Sequence, residues 1–409
     1  MAGQTRILFF VSIFSLAACG PSGRHGDDVD ANDGPKDAPC PTSVSGTVYA
    51  PNGTLPLYNV LVYIPQADPP AFPAGVQCGS CAQGIPGGAI ASTQTDFQGK
   101  FKLEGVPEGT NIPLIITTGK WRRKFTVPLV TKCQDTAMGD GSLRLPKNRT
   151  EGDMPKIAQV TGGCDALACV LSKMGIDSTE FGSSSTGPQA VTFYNGDGGL
   201  SPGSAQPATA LWGDLNELRK FDLVINSCEC SEHNENKTTP DFLKQYADMG
   251  GRVFGSHFHY TWSKNLIPSW QSTANWNSGD FATPDLVDTT HPAGTALAQW
   301  LVTVGASTTM GQIPLTVKTY NASTVNPPTV RWLYSSGANP TTHYLSFQTP
   351  VGVASENQCG KVVYAGMHVS SSSSVDSSFP SGCSGGLTPD EKALVFLLFD
   401  LQSCNQVIF

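Results

Sequence analysis

The sequence predicts a multidomain protein in which an N-terminal antiparallel β-sandwich precedes an α/β domain with a mostly parallel sheet. Three observations carry this. The chain has 409 residues, too many for one ordinary core at roughly 100–200 residues per domain. Between about residues 40 and 146, short apolar/polar alternations are separated by Pro, Gly and Asn turns, the period-two signature of half-buried strands. From about residue 155, short apolar runs alternate with segments of helical periodicity, which implies strands joined by right-handed crossovers.

At the start, residues 1–19 carry one basic side chain, Arg6, and an apolar run over 7–18 that ends Leu16-Ala17-Ala18-Cys19. A run of that length is a signal-peptide core rather than a spanning helix. The ending resembles the lipobox of bacterial lipoproteins, which implies acylation of Cys19 and attachment to a membrane. By the same resemblance, Gly20 after the cysteine implies the outer membrane of the cell envelope. Residues 20–39 contain five aspartates and almost nothing apolar; such a segment buries too little to fold and reads as a solvated tether.

Only 14% of residues are charged and the formal net charge is −8, so no basic surface for nucleic acid exists; the short WRRK run at 121–124 does not supply one. Twelve cysteines in an exported chain imply disulfides. Removing Cys19 leaves Cys40, Cys78, Cys81, Cys133, Cys164, Cys169, Cys228, Cys230, Cys359, Cys383 and Cys404. That number is odd, so one thiol is free or pairs outside the chain. Cys78 and Cys81 form a C-x-x-C that reads as a loop staple, with Cys40 or Cys133 as further partners, because no second C-x-x-C completes a zinc site. The cysteines from Cys228 onward are expected to staple the second domain.

Residues 40–146 supply the alternating strands: Val44, Gly46 and Val48, then Val60, Val62 and Ile64, then the runs at 101–103, 112–116 and 125–129. The stretches SGTVYAPNGTLPLYNVLVYIP and TQTDFQGKFKLEGVPEGTNIPLIITTGKWRRKF resemble the carboxypeptidase regulatory-like domain, a transthyretin-like β-sandwich. That resemblance implies an accessory unit without catalysis. No H-x-x-E occurs in the chain, so the metal-ligand pair of zinc carboxypeptidases is absent.

Over residues 155–409 the expected elements are strands at 156–161, 191–194 and 221–227, helices at 164–174, 208–220 and 240–249, and a helix at 294–304. Strands at 343–349 and 361–369 and a closing helix at 389–402 complete the domain. The strand at 221–227 is a near-continuous apolar run, as expected of a strand buried on both faces. A formal G-x-S-x-G at 382–386 lies away from any strand-to-helix elbow and reads as chance.

The candidate site centres on GGRVFGSHFHYTW, residues 250–262, where β-formers lead through Gly255-Ser256 to His257 and His259. Together with KFDLVINSCEC and CGKVVYAGMHV, this stretch resembles the class I glutamine amidotransferase-like fold, in particular its trehalose-utilisation-like branch. The resemblance implies a flavodoxin-like sheet and a site at the strand ends. Amidotransferases place a nucleophilic cysteine at the corner that Ser256-His257 occupies here, so glutaminase chemistry is not expected. Glu229, His257, His259 and His368 remain as ligand-binding candidates and as a ligand set for a divalent metal. Against this stands the reading of the same histidines as hydrogen-bonded packing residues. Cys228 sits at another strand end, where a histidine activates it or a disulfide claims it.

Tyr260 and Trp262, with Trp270 and Trp276, offer either a cleft for a carbohydrate or protein ligand or core anchors. His233 reads as solvated and His291 as structural. Two functions follow as expectations: a lipid-anchored envelope protein whose α/β domain is a binding or adhesion module, or a metal-assisted hydrolase or isomerase acting on a carbohydrate-like substrate.

Overall fold

The computed structural model describes residues 40–79, 84–201, 203–277, 279–319, 321–369, 379 and 382–403. The expected signal peptide with Cys19, the tether over 20–39, and the disulfide candidates Cys81 and Cys404 lie outside the described residues. Apart from Cys40, the described residues belong to one compact unit, Pro41–Phe409.

The β-rich region has eight strands: β1 (Ser43–Tyr49), β2 (Leu61–Pro65), β3 (Ala89–Gln94), β4 (Lys100–Glu104), β5 (Gly109–Thr118), β6 (Trp121–Val130), β7 (Asp135–Ala137) and β8 (Leu143–Arg144). They form two sheets of four, one ordered β4-β1-β7 with β8 also on β1, the other β3-β2-β5-β6. Alternation acts as the sequence suggests: β4 buries Phe101 and Leu103 and exposes the charged residues between and beside them. The expectation of purely antiparallel pairing is corrected. β1 runs antiparallel to β4 but parallel to β7 and β8. Both arrive after the chain has crossed from the other sheet, and only a hairpin obliges the next strand to run back.

The α/β region contributes β9 (Ile157–Thr161), β10 (Phe181–Gly182), β11 (Val191–Asn195), β12 (Gln206–Pro207), β13 (Leu223–Asn226), β14 (Arg252–Ser256), β15 (Ala274–Asn275) and β16 (Ala282–Val287). Seven more follow: β17 (Gln312–Ile313), β18 (Val317–Lys318), β19 (Thr324–Val325), β20 (Val330–Ser336), β21 (Thr342–Thr349), β22 (Gly360–Ala365) and β23 (Met367–His368). Its helices are α1 (Leu167–Lys173), α2 (Ala208–Trp212), α3 (Leu215–Leu218), α4 (Pro240–Asp248), α5 (Pro268–Gln271), α6 (Pro292–Thr303) and α7 (Pro389–Gln402).

The main sheet is mixed. From β10 through β11, β9, β13 and β14 to β22 every neighbour is parallel; beyond β22 the strands β21, β20, β16 and β17 are antiparallel. Leaving aside two-residue strands, the parallel part has the order second, first, third, fourth, fifth, the flavodoxin-like winding that places ligands beyond the carboxyl ends of the strands. Every residue of β9, β13, β14 and β22 is buried, which explains why apolar residues dominate both of their faces.

Two expected helices are shorter. The helix expected over 208–220 breaks into α2 and α3, because Asp214 turns its carboxylate onto the Asn216 amide at 2.8 Å and restarts the helix as an N-cap. α1 begins only at Leu167, since Cys164 is tied to Cys230 and the Asp165 carboxylate accepts the Val369 amide.

One helix ties the two regions together. α7 starts with Pro389 inside a Thr388/Glu391 capping box, and eleven of its fourteen residues are buried. It serves the α/β core on one side and the β-rich region on the other: Phe396 stacks on Tyr58 at 5.7 Å and Phe399 meets Trp121 at 6.1 Å. Beside it, the Trp300 indole donates to the Pro56 carbonyl at 2.8 Å. A single apolar cluster therefore runs from Val44 to Leu401.

Phe396→Ala is expected to cost about 3–5 kcal/mol in chemical denaturation, with hydrogen exchange in β5–β6 and in β13–β14 accelerating together. Separate midpoints for those two strand pairs would show that the regions unfold independently.

Candidate functional site

The three neighbouring strands β13, β14 and β22 run in parallel, so the residues that follow them gather at one edge of the sheet. β13 leads through Ser227 to Cys228, β14 leads directly to His257, and β22 leads through Gly366 to β23, whose second residue is His368. His257 Nδ1 lies 2.8 Å from His368 Nε2 and 3.6 Å from Cys228 Sγ. One donor atom from each of the three residues lies within 4.8 Å of the others.

The corner is built by close approach. His257 takes φ +36°, a left-handed conformation a histidine rarely adopts, and opens a 3-10 turn, His257–Tyr260. Gly162 lets the end of β9 reach the same spot: a Cβ there would stand 2.2 Å from the Cys228 carbonyl oxygen. That carbonyl accepts the Cys164 amide at 3.0 Å.

Cys228 is the free cysteine among the described residues, and it is buried. This corrects the disulfide expected there. Its neighbour Cys230 is bonded to Cys164, while the Cys228 side chain faces His257. Cys169 pairs with Cys383, which leaves the G-x-S-x-G around Cys383 without an elbow. Cys78 is no loop staple and Cys359 no staple within the α/β region: they pair with each other and join the two regions. Cys40 and Cys133 are also disulfide-bonded.

The structure brings His257 and His368 together and sets His259 and Glu229 apart. In a strand, residues two apart share a face; in the 3-10 turn they diverge. His259 Nε2 donates to the Ser227 carbonyl at 2.9 Å and its Nδ1 accepts the Trp262 indole N–H at 3.2 Å, so neither ring nitrogen is left for a ligand. Glu229 is likewise consumed: one oxygen accepts the Asp197 amide at 2.8 Å and the other meets Lys237 Nζ at 2.6 Å. Both side chains of that ion pair are 1% exposed. Lys237 also lies 4.9 Å from the centre of the Trp212 ring and donates to the Glu232 carbonyl. The network is a strut under the Cys228 turn.

The four aromatic candidates are interior and form no cleft. The Tyr260 hydroxyl donates to Glu232, Trp262 packs edge-on against Trp212, Trp270 against Phe347 and Trp276 against Tyr364. His291 caps α6, accepting the Gly294 amide and donating to the Arg331 carbonyl. His233, half-buried, sits between Asp197 and Glu235.

Burial decides the protonation of the site. It pushes His257 down to about 3, helped by the adjacent His368, and lowers His368 as well. It pushes the Cys228 thiol up to about 11; the Phe258 and Cys230 amides beside the sulfur offset part of that, while Asp165 and Glu229 add to it. At neutral pH the cluster is a thiol facing two neutral imidazoles. It is not a thiolate–imidazolium pair, so Cys228 is no ready nucleophile. Two imidazoles and a cysteine are a donor set suited to a divalent transition metal, and the odd number of cysteines after Cys19 was the sequence signal for this thiol.

No protein-family model and no curated protein matches the chain. Among solved structures, a ThuA-like protein from Bacteroides uniformis is similar at 14% identity over 60% of this chain and 91% of that one, with TM-score 0.32. A cytoplasmic protein of Salmonella typhimurium matches at 12% identity over 61% and 100%, TM-score 0.31, and PurLQS from Thermotoga maritima at 9% over 61% and 99%, TM-score 0.30. Scores of this size define no shared fold, and the topology rests on the strand pairing described above.

Two predictions follow from the electrostatics. As pH falls below about 6.5 the unfolded chain takes up protons that the folded His257 and His368 refuse, so stability decreases toward pH 3. Urea midpoints of a His257→Asn/His368→Asn variant over that range should show a slope shallower by up to about two protons; an unchanged slope would place both rings in water. Lys237→Ala, which strands Glu229 without its partner, is expected to cost about 3–5 kcal/mol in urea. A loss below about 1 kcal/mol would mean that water reaches the pair.

Proposed function

We propose that Cys228, His257 and His368 hold one divalent metal ion, zinc by their donor set, and that the site carries out metal-assisted hydrolysis or isomerisation of a small carbohydrate-like substrate. The observation that carries this reading is the buried, unbonded thiol facing two neutral imidazoles at the carboxyl ends of three adjacent parallel strands. Three protein ligands leave a coordination position open, and an ion so held supplies Lewis acidity and acidifies water at neutral pH.

The chain's own part is to prepare the ligands. Burial keeps His257 and His368 neutral; their facing nitrogens share one hydrogen across 2.8 Å, and an ion held there would take its place with each ring's proton on its other nitrogen. Cys228 gives up its proton on coordination, so metal uptake releases acid and strengthens with rising pH. The Glu229–Lys237 strut and the Cys164–Cys230 disulfide hold the Cys228 turn in place. The carbohydrate-like substrate rests on the sequence resemblance alone. Tyr260, Trp262, Trp270 and Trp276 are spent inside the core, so they supply no cleft for the alternative reading of a binding or adhesion module.

We place this site in an exported, lipid-anchored envelope protein acylated at Cys19. Support for export comes from the disulfides Cys78–Cys359, Cys164–Cys230 and Cys169–Cys383, since such bonds persist in oxidising compartments.

Elemental analysis of the full chain, purified without chelator or affinity tag and equilibrated with zinc, should find one metal per chain. Cys228→Ser and His368→Ala are each expected to weaken retention by about 10–100-fold while circular dichroism stays unchanged. Zinc-equilibrated wild type that retains no metal would overturn the proposal.

A further inference from the structure

A second site lies at the other edge of the parallel sheet. Cys228, His257 and His368 follow the carboxyl ends of β13, β14 and β22, whereas Asp222 and Arg252 stand at the amino ends of β13 and β14. There a cavity of about 470 Å³ separates that edge from the sheet β3-β2-β5-β6, within the range of about 300–1,000 Å³ that suits small molecules. Much of its wall is apolar, with Leu61, Tyr63, Phe72, Pro73, Ile85 and Pro86. The Cys78–Cys359 disulfide fixes the loop beside it to the α/β region.

The polar part of the wall is unbalanced. Three cationic side chains, Lys120, Arg122 and Arg252, line the cavity against one carboxylate, Asp222. That carboxylate is already used: it meets Lys120 Nζ at 2.6 Å and accepts the Lys156 amide at 2.8 Å. Arg252 donates to the Cys359 and Ser403 carbonyls, each at 3.1 Å.

Arg122 is held but incompletely used. Its Nε meets Asp153 at 2.7 Å, one terminal nitrogen donates to the Pro70 carbonyl at 3.0 Å, and the guanidinium lies 4.2 Å from the centre of the Phe72 ring. Its Nη1 is buried without an acceptor, and so is Nε2 of Gln402, another wall residue. Buried donors normally have partners. Both donors belong to residues of this wall, and three of its four charged side chains are cationic, which favours a negatively charged acceptor.

We propose that the cavity binds a small apolar monocarboxylate, its carboxylate paired with Arg122 and its body against Phe72, Leu61 and Ile85. A guanidinium fixed by Asp153, Pro70 and Phe72 is oriented before the ligand arrives, which suits the planar geometry of a carboxylate. This site shares no residue with the Cys228 cluster, so it stands whatever that cluster holds.

Isothermal titration of the full chain with 3-phenylpropionate, against 3-phenylpropionamide as the uncharged control, tests the inference. The acid is expected to bind saturably at one site and the amide at least about tenfold more weakly. Arg122→Met should remove that preference. Gln94→Trp, at an exposed strand position on the wall, should block both ligands without touching Arg122, and it decides the matter if Arg122→Met fails to fold. Equal binding of acid and amide, no saturable binding of the acid to wild type, or undiminished binding to Gln94→Trp would each overturn the proposal.

Discussion

A helix without a polar face has to be covered on every side, and α7 imposes that constraint on the whole chain. Its run from Ala393 to Leu401 leaves almost no position for water, so one sheet cannot bury it. The α/β sheet takes one side; Tyr58, Trp121 and the β-rich region around them take the other. Other joints between the regions are accessory to this shared core. The Lys120–Asp222 pair and the Cys78–Cys359 disulfide secure a seam that apolar burial has already set.

With the regions fixed, the parallel strands present two chemically different edges. At the carboxyl edge the backbone turns tightly, through the strained φ of His257 and the glycine contact at Gly162, and three soft or borderline ligand atoms meet. Strain of that kind persists only where the surroundings over-determine it. Here they do, because Glu229, Lys237, His259 and Trp262 form a fully partnered network beneath the corner. At the amino edge long cationic side chains line the seam instead.

Much of the fold was legible because it is periodic. The alternation in β4, the apolar run that opens β13 and the capped, apolar α7 each state their own burial. The antiparallel extension β16, β17, β20 and β21 was less so, since its edge strands are short and interrupted, and only β21 carried a readable pattern. The candidate site was half legible. His257 and His368 follow strands whose neighbours can be inferred, so their convergence is a matter of topology. His259 was not separable from His257 in sequence, because the strand ends at Ser256 and only the 3-10 turn that follows sets the two apart. Cys228 was assigned to a disulfide because pairing is a fact of three dimensions: Cys230, two residues on, takes the partner, and nothing local says which of the two will.

The double cover of α7 also has a consequence in time. Strands β1–β8 are synthesised before the rings that cover Tyr58 and Trp121, which belong to Phe396 and Phe399. At roughly 5–20 residues per second the interval is on the order of tens of seconds, while apolar chains collapse in about 100 microseconds or less. Tyr58 and Trp121 therefore wait for that interval without the rings that cover them. Completion of that core waits until both regions have been made.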